Sequence, residues 1–166
     1  MLPRPKPDPV GPGQRSVWDF PRPPAIEVES RSVRIVFAGV DVATSRRAVK
    51  VLETSHPPVY YIPPADVRED LLEAAGETSF CEWKGQAVYY DVVVDGQRAP
   101  KVGFAYPSPS ARFRAYAGWY SFYAGPMEAC YVGDERVTPQ PGGFYSGWIT
   151  SDLAGPFKGI PGSAGW

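Results

Sequence analysis

Apolar and polar residues alternate along this chain in short stretches, each soon interrupted by a turn. Ile26, Val28 and then Val33, Ile35 and Phe37 stand two apart, the period of a half-buried strand. Ala38-Gly39 supplies a turn and Val40-Asp41-Val42-Ala43 returns, which predicts a hairpin. Val49 to Thr54 forms the next strand. His56-Pro57-Pro58 ends it, because proline has no N–H for a ladder. Val59 to Ile62 is extended, and Thr78 to Trp83 is strand-like. From Gln86 to Val94 one face carries Val88, Tyr90, Val92 and Val94, and the other Tyr89, Asp91 and Val93. Asp95-Gly96 is a strong hairpin turn, and Lys101 to Tyr106 returns. Trp119 to Tyr123 and Met127 to Val132 follow as strands, with Gly133-Asp134 turning into Glu135-Arg136-Val137. Helix signals are short. Pro64-Ala65-Asp66 opens one that runs to Leu72, and Ser110 caps another through Ala117.

The two ends break this pattern in different ways. Residues 1–15 are proline-rich and carry almost nothing to bury, so they are expected to form a disordered arm. Val17, Trp18 and Phe20 then require docking on the domain. Residues 138–166 lose all periodicity yet hold Phe144, Tyr145, Trp148, Phe157 and Trp166. This predicts an irregular tail wrapped over the domain and pinned by five rings. The expected fold is mainly β, with short coiled antiparallel sheets, barrel-like, and one or two short helices in a single domain over 16–166.

Composition narrows the function classes. The 17 basic and 18 acidic residues leave a net charge of -1, without the basic excess of a non-specific nucleic-acid binder, so no nucleic-acid partner is expected. No apolar run reaches the roughly 18 residues of a membrane helix, and Met1-Leu2-Pro3-Arg4-Pro5 lacks a signal peptide's apolar stretch. A cytoplasmic protein with two reduced thiols, Cys81 and Cys130, is expected, with no membrane partner. One His and two Cys do not make a zinc site. Phosphate-loop, dinucleotide and nucleophile-elbow motifs are absent, so neither metal nor cofactor is expected.

The candidate chemistry lies in a few side chains. His56 is the only histidine and suits acid–base work or hydrogen bonding. Both cysteines read as small core hydrophobes. Glu53 shares a strand face with Val49 and Val51, and Glu82 shares one with Phe80 and Lys84. Such carboxylates either pair with Lys84, Arg46 or Arg47 or line a pocket. Tyr60, Tyr61, Trp83, Tyr89, Tyr106, Tyr123 and Trp148 supply rings with polar ends.

Three segments carry a family resemblance: Glu53 to Pro63 (ETSHPPVYYIP), Phe80 to Gly85 (FCEWKG), and Ala105-Tyr106-Pro107 followed by Phe122-Tyr123. Their order and spacing resemble the bacterial and fungal family called domain of unknown function 427, also filed under a nucleotidyltransferase-type name. Trp18-Asp19-Phe20-Pro21 and Gly155-Pro156-Phe157-Lys158-Gly159 resemble its longer bacterial form. The resemblance implies coiled sheets of the β-tent type and implies no activity. Two-metal nucleotidyl transfer needs closely spaced carboxylates beside a Gly-Ser loop. The nearest match is Glu27-Val28-Glu29, with no such loop. The expected function is binding of a small polar or anionic molecule in an aromatic-lined pocket of His56, Tyr60, Glu82, Trp83, Lys84 and Tyr106. Glu82 and Trp83 are neighbours and reach one pocket only if the chain distorts near Lys84-Gly85. The alternatives are an enzyme with His56, Glu53 or Glu82 as acid–base groups, and a structural or interaction module. The oligomeric state stays open.

Overall fold

The computed structural model describes residues 4–166. Its largest sheet is a meander of Leu72–Cys81, Gly85–Val94, Gln97–Ala105 and Tyr120–Phe122, each strand antiparallel to the next. Ala25–Val28, Val49–Leu52 and Val59–Tyr61 form a three-stranded sheet. A two-way bridge between Ile62 and Tyr120 joins it to the meander. Val40–Ser45, Val33–Phe37, Ala129–Val132 and Glu135–Arg136 form a third sheet. Among the described residues no sheet closes on itself: the mainly β fold consists of open antiparallel sheets packed together. No helix among these residues is long and apolar enough to cross a membrane.

Turn chemistry explains the hairpins. Ala38-Gly39 (φ 50° and 75°) and Asp95-Gly96 (φ 46° and 80°) both place two successive residues in the left-handed region, the two-residue turn that matches strand twist. Pro100 has no N–H to donate, and the ladder breaks beside it, between Tyr90 and Val92. The N–H of Lys101 donates to Asp91 Oδ1 instead, at 2.8 Å.

The short strand Val59–Tyr61 divides the interior, because alternate residues face opposite ways. Tyr60 packs with Ile35, Val42, Val102, Phe122 and Trp148. Tyr61 packs with Val49, Val51, Phe104, Tyr106 and Phe113. A third cluster joins Val17, Trp18, Phe20 and Leu52 to Trp166.

Several expectations need correction. The helix predicted over 65–72 is two 3-10 turns, Pro64–Asp66 and Glu69–Leu71, and a ten-residue edge strand starts at Leu72. The second helix is a 3-10 segment, Ala111–Tyr116. Trp83 lies beyond the strand's end, in the turn Glu82–Lys84. Residues 1–3 of the expected arm lie outside the described residues. The remainder runs beside the C-terminal segment: the Asp8 N–H donates to Gly155 C=O at 2.8 Å, and Arg15–Ser16 pairs in parallel with Leu153–Ala154. Of the five tail rings, Trp148 and Trp166 are buried and Tyr145 and Phe157 are half-buried. Phe144 is exposed at 77%.

Candidate functional site

A cleft of about 520 Å³ opens where the tail crosses the meander, within the range of small-ligand sites. The three-stranded sheet contributes Val51 and Val59, and the connection between these two strands contributes Glu53 and His56. The meander contributes Phe80, Cys81, Tyr89, Phe104 and Tyr106, and the tail contributes Gln140, Tyr145 and Lys158. A second chamber of about 470 Å³ adjoins the first, with Ser79, Tyr89, Tyr123, Gln140 and Tyr145 among the residues that line both. The Tyr123 hydroxyl donates to Phe144 C=O at 3.0 Å and ties the tail loop to the meander.

The local chain explains how each polar group reaches the cleft. Glu82, Trp83 and Lys84 form the turn between two meander strands. Ser110 clamps this turn: its N–H donates to Lys84 C=O at 3.0 Å and its hydroxyl donates to Trp83 C=O. Lys84 is thereby aimed at the aromatic wall. Its Nζ donates to the Tyr61 hydroxyl at 2.7 Å and lies 5.2 and 5.4 Å from the Tyr61 and Tyr106 ring centres. All of these partners are neutral, and burial pushes both tyrosine pKa values up, which keeps them so. Lys158 Nζ reaches Trp166 O at 3.4 Å and lies 5.4 Å from the Tyr145 ring centre. Among the described residues no side-chain carboxylate lies within ion-pair distance of either lysine.

His56 follows the turn at Ser55 (φ 73°) and is 9% exposed. Its Nδ1 lies 3.1 Å from Gln140 Nε2, and Tyr145 packs against the ring at 4.8 Å between centres. Burial, reinforced by the charges of Lys158, Arg22 and Lys84, lowers its pKa to about 4, so the imidazole is neutral at pH 7. Gln140 is held by Gly147, whose N–H donates to Oε1 at 3.1 Å. A side chain at position 147 would start 2.5 Å from Pro57 O and 2.6 Å from Gln140 Oε1, so only glycine fits.

The residues predicted for the site separate. His56, Lys84 and Tyr106 line the cleft, as does Glu53. Glu53 pairs at 3.8 Å with Arg22, not with Lys84, Arg46 or Arg47. Tyr60 is on the other side of its strand: its ring stacks on Trp148 and its hydroxyl donates to Glu29 Oε1 at 3.2 Å. Its neighbour Tyr61 takes the cleft side. Glu82 is exposed, and with Trp83 it lines a separate shallow depression beside Ser110 and Arg112. The Trp83 ring packs on Phe113 at 5.7 Å. Cys81 is half-buried and lines the cleft, while Cys130 lies in the core, where burial pushes its pKa up to about 12.

Sequence reasoning missed Lys158 and Gln140. One signal was available for Lys158, the only cation after Arg136 and set in an aromatic stretch. Gln140 carries no signal, since its role depends on the backbone groups it meets.

The carboxylates considered for metal are engaged elsewhere. Glu29 is 2% exposed and accepts from Arg31, from Lys50 Nζ at 3.2 Å and from Tyr60. Glu27 pairs with Arg15 at 2.9 Å. Cations already neutralise this donor set, so it does not fit the Mg²⁺ that the nucleotidyltransferase name implies. Among the described residues no three His, Cys, Asp or Glu side chains gather as a metal site.

No curated protein matches this chain. A family model does, over residues 25–133, more than half of the chain, and its description is domain of unknown function (DUF427). The matched span contains His56, Lys84 and Tyr106, whereas Gln140, Tyr145 and Lys158 lie beyond it. The chain therefore belongs to the domain of unknown function 427 family.

Proposed function

We propose that the cleft binds a small anionic molecule with a flat apolar body. The observation that carries this reading is the Lys84 ammonium, held by neutral tyrosines, with Lys158 as a second cation on the same aromatic-lined cleft. A charged group in such surroundings gains from an opposite charge, and the low local dielectric strengthens that attraction. Phe104, Tyr106 and Tyr145 offer ring faces and edges for the apolar body.

The acid–base alternative lacks a pair. The ring of His56 is hydrogen-bonded to Gln140, and no hydrogen bond joins it to the Glu53 carboxylate among the described residues. Glu82, the third acid–base candidate, does not line this cleft.

A thermal-shift screen of the full chain tests the proposal, with inorganic phosphate, nucleoside monophosphates, aromatic carboxylates and their neutral amides. Anions with a ring should raise the melting temperature, the amides should not, and Lys84→Met and Lys158→Met should each weaken the response at least tenfold. Equal response to anions and amides, or no response to any anion, contradicts the reading.

A further inference from the structure

The side-chain amide of Gln140 has only one possible orientation. The N–H of Gly147 can only donate, and it meets one end of the amide at 3.1 Å, so that end is the oxygen. The Lys158 carbonyl can only accept, and it meets the other end at 2.9 Å, so that end is the nitrogen. The same Nε2 lies 3.1 Å from His56 Nδ1. Its two hydrogens therefore serve the Lys158 carbonyl and His56 Nδ1, and Nδ1 must accept. A neutral imidazole that accepts at Nδ1 carries its proton on Nε2.

No group among the described residues pairs with His56 Nε2, and it is not one of the buried unpartnered side-chain atoms. His56 lines the cleft, so Nε2 keeps access to it. Protonating the ring would place a second N–H on Nδ1, facing the Gln140 N–H. Lys158, Arg22 and Lys84 oppose that extra charge, and of the charged groups that bear on the ring all three are cations. Glu53, the carboxylate on the same turn, is drawn to Arg22.

From this geometry we propose that Gln140 is a positioning residue that fixes His56 as a neutral Nε2–H donor into the cleft, making the pair the determinant that selects a ligand oxyanion. The selection rests on the anionic reading of the cleft given above. The chemistry favours an acceptor at an N–H in a cleft that also holds two ammonium groups, which a carboxylate or a phosphate satisfies equally. A ligand group that offers only donors would meet three donors.

His56 is the only histidine, so its ring nitrogens can be observed without assignment by long-range ¹H–¹⁵N NMR of the full ¹⁵N-labelled chain. The proton should reside on Nε2 from pH 5 to 8. A proton on Nδ1, or titration near the ordinary 6.5, overturns the proposal. In Gln140→Glu a carboxylate faces Nδ1, so the proton should move to Nδ1 and the ring should titrate at higher pH. A folded variant that keeps the wild-type tautomer shows that Gln140 does not set it, and overturns its positioning role. If that variant does not fold, the wild-type spectrum still decides the tautomer.

Inorganic phosphate and benzoate are then titrated separately into wild type. Movement of the Nε2 signal by either supports the donor role, and the more effective probe identifies the headgroup. Movement of the Lys84 or Lys158 signals with Nε2 unchanged overturns the donor role but leaves the anionic cleft standing. If no cleft signal moves with either probe, the anionic reading fails and the recognition role of His56 fails with it. His56→Gln retains a donor of similar reach and His56→Phe does not. Folded His56→Phe should lose at least tenfold in affinity for the effective probe, and His56→Gln should lose less.

Discussion

Two buried ionisable groups, His56 and Glu29, make the residue-scale account testable by pH. The unfolded chain takes up a proton on histidine near pH 6.5, while the folded one does so only at about 4. The stability tied to His56 is therefore complete above pH 6.5 and is lost as pH falls toward 4, by at most about 3 kcal/mol. Urea unfolding of wild type and His56→Gln from pH 4.5 to 7 should show the slope in wild type alone. Glu29 has the opposite kind of shift. Burial pushes its pKa up, but hydrogen bonds from Arg31 and the charge of Lys50 outweigh this and hold it at about 2. Its contribution is present above pH 4.5 and is lost as pH falls toward 2. Glu29→Ala leaves Lys50, 8% exposed, without its nearest carboxylate and should cost about 3 to 5 kcal/mol in a denaturant titration. The importance of Glu29 was not legible in the sequence, where it was one of two glutamates around Val28. Its partners Lys50 and Tyr60 come from the two strands that pair beside it, which no local pattern encodes.

At the scale of elements, legibility followed how local the determining chemistry was. Both hairpins with two left-handed turn residues were legible, because Ala38-Gly39 and Asp95-Gly96 specify their turns within two positions. The stretch from Leu72 to Glu77 was not. Leu, Glu and Ala favour helix, but this edge strand is set by pairing Leu72 with Val92 and Ala74 with Tyr90, and tertiary pairing overrides weak propensity. The clustering of aromatic residues was legible, but which of Tyr60 and Tyr61 packs with Phe104 and Tyr106 was not, since a three-residue strand gives no reference for its faces. The tail carries the sharpest element-scale prediction. Its backbone is irregular yet anchored: the Trp148 N–H donates to Pro58 C=O at 2.9 Å and the Lys158 N–H to Ser55 C=O at 2.9 Å. Gly147→Ala forces a methyl into Pro57 and Gln140, which should cost about 1 to 3 kcal/mol by thermal melting and displace His56's partner. Trp148→Ala, which empties the space under Tyr60, should cost about 3 to 5 kcal/mol in the same assay. Deleting residues 1–15 should cost far less, since residues 4–15 are largely exposed and joined by a few hydrogen bonds.

For the whole molecule, the cleft exists because two parts of the chain meet. The family-matched span supplies a wall of rings with Lys84, and the tail beyond it closes the cleft with Gln140, Tyr145 and Lys158. A chain ending at Val137 should lose anion binding even if its sheets still form, and circular dichroism beside a binding titration separates these outcomes. The central claim is that two cations without side-chain carboxylate partners recognise an anion against aromatic walls. The most direct measurement is calorimetric titration of an aromatic carboxylate, such as indole-3-carboxylate, into wild type and the folded double variant Lys84→Met/Lys158→Met, at low and high salt. Saturable binding in wild type that weakens with salt, and its loss in the double variant, is the predicted result. Binding of equal strength in both proteins, or its absence from both, contradicts the account.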